Sequence, residues 1–260
     1  MSERTNLRYA RLDRLRGLAL VWMAIFHFCF DLSYFQLINA NFYVDSFWTT
    51  QRTCILSLFL LCAGAGQAVA TAQGQTWVRF WRRWAQVAGC ALLVTVGSMQ
   101  MFPETFIYFG VLHGMAVMLL LVRVTAHFKL LQGRWLWPVG AVALALPQLV
   151  QHPFFDTRLT NWVGLITHKP FTEDYVPLLP WIGVMLWGLA ATQWIIENRS
   201  TWLTGAPSNN PDARGMFAYL QPLALLSLLG RWSLTFYMVH QPILIGVLSA
   251  WMMWQGRPLP

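Results

Sequence analysis

Three histidines, His27, His113 and His240, stand within long apolar stretches, and a carboxylate, Asp31, follows the first by four residues. Side chains four apart share one face of a helix. A carboxylate in that position can fix the tautomer of the imidazole and raise its basicity, as a general base or nucleophile requires. If the apolar stretches cross a membrane, His27 and His113 lie about 15 Å from their basic flanks and His240 roughly 13–14 Å from its own, at 1.5 Å per residue. Three imidazoles at one depth on separate helices predict a shared polar site, because ionisable groups are costly inside a bilayer. The plainer alternatives are a histidine that only bonds a neighbouring helix and an Asp31 that is merely neutralised. Tyr34 would line the same stripe, and Arg52 would pair with Asp31 or hold an anionic ligand.

The elements that must carry these groups follow from composition. Of 260 residues 57% are hydrophobic and only 11% charged, too few charges for a soluble domain of this length. The 15 Trp, 17 Phe and 7 Tyr suit repeated crossings of a membrane interface. The predicted fold is all-α: a polytopic integral membrane bundle of about seven transmembrane helices, a single domain over residues 1–260. The spans expected are 17–37, 53–72, 84–101, 107–124, 135–150, 178–196 and 234–254, with an interfacial helix at 217–229. The net charge of +8 does not imply nucleic acid. With the N-terminus inside, only Arg52, Arg158, Lys169 and Arg257 of the 18 basic residues fall in outer segments, as the positive-inside rule demands. That orientation predicts a multi-pass protein of the bacterial inner membrane with a cytoplasmic N-terminus and a retained signal anchor. The longest outer loop, 151–177, carries Asp156, Glu173 and Asp174 and suits an extracytoplasmic ligand. Cys29, Cys54, Cys62 and Cys90 have no metal-binding spacing and read as buried packing thiols. No metal site is expected.

At the inner mouth lies Arg11-Leu12-Asp13-Arg14-Leu15-Arg16-Gly17. Such a cluster orients a span and touches anionic lipid, and equally can hold the phosphates of a nucleotide-bearing donor. The run Ala63-Gly64-Ala65-Gly66 predicts close helix packing. No P-loop, GxGxxG, HExxH or GxSxG pattern is present.

Five blocks in order carry a family likeness: Arg11–Ala19 with His27 and Asp31; Gln51-Arg52-Thr53 with Ala63-Gly64; Tyr108–Gly114; Asp174–Gly183; and Leu229–Pro242. With them the chain resembles the membrane acetyltransferases of the heparan-α-glucosaminide N-acetyltransferase family, closest to short bacterial relatives. Its Asp-x-x-Arg-Gly start is also similar to that of membrane O-acyltransferases of polysaccharide modification. The resemblance implies transfer of an acetyl or other acyl group from cytoplasmic acyl-CoA to an extracytoplasmic glycan or lipid-linked sugar. It implies catalytic roles for His27, Asp31, His113 and His240, CoA contacts from Arg14, Arg16 and Arg231, and acceptor contacts from Arg52, Asp174, Tyr175, Trp181 and Gln241. One departure stands out: the stretch 37–48, which matches the family's proposed active-histidine segment, has no histidine, so His27 with Asp31 is its replacement. The other partners expected are the lipid bilayer and a second copy in a homodimer, with no nucleic acid.

Two other classes compete. Paired histidines on facing spans can ligate a haem, giving an electron-transfer protein. A His/Asp stripe can also relay protons in a transporter or lipid-glycan flippase, a reading weakened by the absence of an internal repeat.

Overall fold

The computed structural model describes residues 9–128, 130–131, 133–199 and 222–259. Arg4, Arg8, Lys129 and Arg214, and the first part of the expected 217–229 helix, lie outside these residues. The described chain is helical throughout: α1 (Ala10–Tyr34), α2 (Ser46–Ala72), α3 (Trp77–Met101), α4 (Val111–His127), α5 (Leu136–Leu149), α6 (Leu178–Asn198), α7 (Pro222–Arg231) and α8 (Ser233–Trp254). Each of the seven expected spans coincides with a helix. Five of them, α1, α2, α3, α6 and α8, are long and apolar enough to cross a membrane. The other two are shorter: α4 has 17 residues and α5 has 14, about 26 and 21 Å of rise.

Apolar side chains cover much of the helix exteriors. Ile25, Leu92, Leu93, Val96, Val142 and Val247 are all exposed, which water would penalise and hydrocarbon does not. This is a polytopic helical membrane protein.

The boundaries differ from expectation in both directions. The apolar criterion clipped α1, α2 and α3, which begin seven residues earlier and carry Arg11, Arg14 and Arg16 or Arg79, Arg82 and Arg83 inside the helix. Arginine is a good helix former, so the helix continues past the point where the hydrocarbon stops. In α3 the start is capped by Thr76, whose hydroxyl accepts from the Arg79 amide. The fourth element begins four residues late, because Ile107–Gly110 are extended and Phe109 bridges to Tyr175.

The contacts of the chain group it into two compact units, 60–199 and 9–59 with 222–259. In the second unit α7 packs along α1. A Cβ on Gly17 would collide with the Leu226 backbone carbonyl, and one on Gly230 with that of Asp13, so the two backbones touch only because both side chains are absent. Leu20, Met23 and Ile55 form the core beside them, with Phe236 and Tyr237 of α8 packed on top. In the 60–199 unit, Leu60, Met118, Leu136, Met185 and Leu189 are fully buried. The small-residue run of α2 fulfils its expected role there, since Gly64 meets the Met185 backbone of α6. Among the cysteines only Cys62 is buried. Cys54 is exposed, a correction to the expectation of four buried thiols, and it lies on an outward face of α2.

Candidate functional site

In the unit formed by 9–59 and 222–259, α1 and α8 bring four sequence-predicted residues together. His240 is 7% exposed. Helix side chains lean toward the N-terminus, so its Nδ1 reaches back one turn to the Tyr237 carbonyl at 2.7 Å. A carbonyl only accepts, so Nδ1 carries the proton, and Nε2 of the neutral ring presents a lone pair. That Nε2 is buried and has no partner. The His240 ring stacks on Phe236 and meets the His27 ring edge-on at 5.1 Å between centroids. His27 itself is half-buried and has no hydrogen bond among the described residues.

One residue beyond His240, Gln241 donates its side-chain amide to Asp31 Oδ1 at 2.6 Å. Asp31 is 1% exposed, and its second oxygen has no partner; neither has Gln241 Oε1. Three buried atoms in this cluster are thus left open: Asp31 Oδ2, Gln241 Oε1 and His240 Nε2. All three are acceptors, which makes them suited to a group rich in N–H or O–H and ill suited to a bare carbonyl.

This geometry corrects two expectations. Asp31 shares the His27 face of α1 but makes no ion pair or hydrogen bond with it; its one partner is the Gln241 amide from α8. Arg52, half-buried on α2, makes no ion pair with Asp31, which leaves the other role expected of it, holding an anionic ligand. The rings of His27 and His240 are in direct contact, which leaves no slot between them for a haem plane.

The arginines expected to hold a donor are partly gathered. Gly230 rests on the Asp13 backbone, so Arg231 and Arg14, the next residues on each helix, flank one contact. Arg14 Nε is buried without a partner. Arg16 pairs with Asp13 at 3.3 Å, and Arg231 is exposed.

The 60–199 unit holds the remaining predicted residues, and most have structural partners. His113 Nδ1 accepts from the Gly110 amide at 3.3 Å, and its Nε2 lies 3.1 Å from Thr95 Oγ1. The Thr95 hydroxyl donates to the Ile107 carbonyl at 2.8 Å, so His113 Nε2–H donates to Thr95 and both ring nitrogens are engaged. That differs from the expectation of a ring free to act on substrate. Asp174 Oδ2 accepts from the Val111 amide at 2.7 Å, which caps α4. The Tyr175 hydroxyl donates to the Asn161 carbonyl at 2.6 Å, and burial, then Tyr108 and Asp156, hold its phenol well above the ordinary range. Trp181 is half-buried in the first turn of α6.

Sequence reasoning missed Asn161, which is 1% exposed and donates to the Tyr108 hydroxyl at 2.7 Å. An asparagine in a turn-rich loop carries no periodic signal that separates it from a solvated one. It also missed Gln51, whose Oε1 accepts from Trp22 Nε1 at 2.8 Å.

Residues 8–242 match the sequence profile of the family described as heparan-alpha-glucosaminide N-acetyltransferase, catalytic. The chain belongs to that family. No curated protein and no solved structure matches it. The family region takes in α1 and the start of α8, so it spans the whole Asp31–Gln241–His240–His27 cluster and ends on the residue after Gln241.

Proposed function

We propose that the protein is a membrane acyltransferase that moves an acetyl or related acyl group from cytoplasmic acyl-CoA to an amine or hydroxyl of an extracytoplasmic sugar or lipid-linked sugar. The observation that carries this reading is the trio of unpartnered acceptors, Asp31 Oδ2, Gln241 Oε1 and His240 Nε2. A nucleophile of the acceptor class, R–NH2 or R–OH, brings the donors they lack. His240 Nε2 takes the proton of the attacking N–H or O–H as that atom bonds to the acyl carbon. The carbon–sulfur bond breaks, and the proton leaves with the CoA thiolate. Asp31 and Gln241 hold the remaining donors of the nucleophile, and His27 shields and steers the His240 ring. His113 positions the start of α4 and does not touch the reacting atoms. Arg14, Arg16 and Arg231 hold the CoA phosphates, with Arg52 toward the acceptor. The N-terminus is cytoplasmic in the bacterial inner membrane, and the protein works as a homodimer.

The test is purified full-length protein in lipid, radiolabelled acetyl-CoA, and a panel of amino sugars and neutral sugars. His240→Ala should lower transfer by about 10²–10⁴-fold, the range for a lost general base. Equal transfer by wild type and His240→Ala would overturn the assignment. A wild type that transfers label to no sugar would overturn the reaction class.

A further inference from the structure

The end of α1 carries a hydrogen-bond pattern that ordinarily calls for glycine. The Leu37 amide donates to the Leu32 carbonyl at 2.8 Å, and the Gln36 amide to the Ser33 carbonyl at 2.9 Å. This pair of bonds closes a helix when the residue at position 36 turns left-handed, and Gln36 does so with φ +56°. Glycine adopts that conformation without a clash, whereas a residue with a Cβ is strained there. Every other positive φ among the described residues belongs to a glycine. Stability alone therefore does not account for the glutamine, and strain of this kind points to a use for its side chain.

The surroundings supply one. Ser33, Gln36 and Asn39 line a cleft of about 490 Å³ together with Leu37 and Ile38, within the ~300–1,000 Å³ range of small-molecule sites. Its walls are fixed. The Ser33 hydroxyl donates to the Ala40 carbonyl at 2.7 Å, folding the link back on the helix, and Phe35 packs with Leu248 and Met252 of α8. The carboxamides of Gln36 and Asn39 are exposed and make no hydrogen bond among the described residues. Each offers two N–H donors and a carbonyl acceptor, and no residue lining the cleft is charged. A ligand that fits has donors and acceptors, no charge, and a C–H face for Leu37 and Ile38. A hydroxyl-bearing sugar ring combines all three.

We propose that this cleft binds a neutral saccharide unit, with the Gln36 and Asn39 carboxamides bonding its hydroxyls. The assignment stands on the lining of the cleft and not on the acyltransferase reading, so it is tested by binding with no acyl-CoA present.

The experiment is saturation-transfer NMR on the full chain in phospholipid nanodiscs free of sugar-headed detergent. The probes are glucose, N-acetylglucosamine and glucose 6-phosphate. The two neutral sugars should bind, and glucose 6-phosphate about tenfold more weakly or worse, because its charge meets no cation. Gln36→Gly and Asn39→Ala should each weaken binding about tenfold, as one or two lost hydrogen bonds would. Gln36→Gly should at the same time raise Tm by about 2–4 °C, since it relieves the left-handed strain. Glucosyl diacylglycerol built into the disc separates the sources. If it blocks the glucose signal, a glycolipid headgroup is the ligand; if it does not, a free saccharide is, and both outcomes support the site. Equal binding by wild type and the Gln36→Gly/Asn39→Ala double variant would overturn the proposal. So would silence from both neutral sugars, equal binding of glucose 6-phosphate, or a fall in Tm for Gln36→Gly. Binding lost in Asp31→Asn but kept in the double variant would move the sugar to the Asp31 cluster and overturn it too.

Discussion

Gln241→Leu isolates the bond that ties α8 to α1. Hydrogen bonds between helices in bilayers average about 0.6 kcal/mol and reach about 1.7 kcal/mol, so the bond by itself is modest. Its loss also strands Asp31, which at 1% exposure has no water to turn to and no second partner. An orphaned buried polar group costs about 1–3 kcal/mol, and this second effect is the larger one. The variant should therefore lose about 2–3 kcal/mol. Leucine and glutamine have similar helix propensities, so the backbone adds little. At 2–4 °C per kcal/mol for a chain of this size, that is a fall in Tm of roughly 5–10 °C. Asp31→Leu removes the group that needs the bond, so the double variant should cost about 1–2 kcal/mol less than the sum of the singles. Tryptophan fluorescence or circular dichroism of the detergent-solubilised protein reads all four corners of the cycle. Single effects that add to within about 0.5 kcal/mol would mean the two side chains are not coupled, and the reasoning about this cluster would fail.

Gly17→Val and Gly230→Val each push a branched side chain into the opposing backbone of the α1–α7 contact. Each should cost at least the 1–3 kcal/mol typical of overpacking, and unchanged melting of either would show that the helices are not in backbone contact. Asp174→Ala removes the cap of α4 and should cost about 1 kcal/mol; faster amide exchange at Val111 than at Leu120 would mark the fraying. Asp156 is held below the usual carboxylate range chiefly by its bond from the Thr167 hydroxyl, helped by the Thr167 amide and by His168. Because its folded value is depressed, its contribution is complete above the unfolded value of about 3.9 and fades as pH falls through the lower folded one. Exchange protection at the Thr167 amide should therefore be flat from pH 7 to 5 and collapse only at stronger acid, and Asp156→Asn should abolish that acid-dependent step.

How much of this was legible in the sequence depends on the range of the interaction. Helix identity came from runs of apolar residues, a local property, and every expected span has its helix. The ends did not, since Arg79, Arg82 and Arg83 are charged residues that a helix tolerates and a run of apolar residues does not. His27 and Asp31 were singled out by their i,i+4 spacing, yet the bond to Asp31 comes from Gln241 on another helix, a partner no local spacing reveals. The same limit applies to His113. Its depth matched that of His27 and His240, but depth along a helix says nothing of rotation about it, and both its ring nitrogens face Gly110 and Thr95. His240 shows the converse: its Tyr237 contact is three residues away and was readable in principle, once the tautomer was asked for.

The Asp31–Gln241 bond also sets a timetable. The two partners are 210 residues apart in the sequence yet belong to the same compact unit, 9–59 with 222–259. At roughly 5–20 residues per second, a nascent chain spends on the order of 10–40 s with Asp31 made and Gln241 not yet translated. For that interval the first helix carries a carboxyl that no part of its finished unit can yet answer. Some temporary host must shelter it, such as water in the insertion channel or an assisting factor. Truncation before α8 should therefore leave α1 prone to removal by quality control, even though every residue of that helix is present.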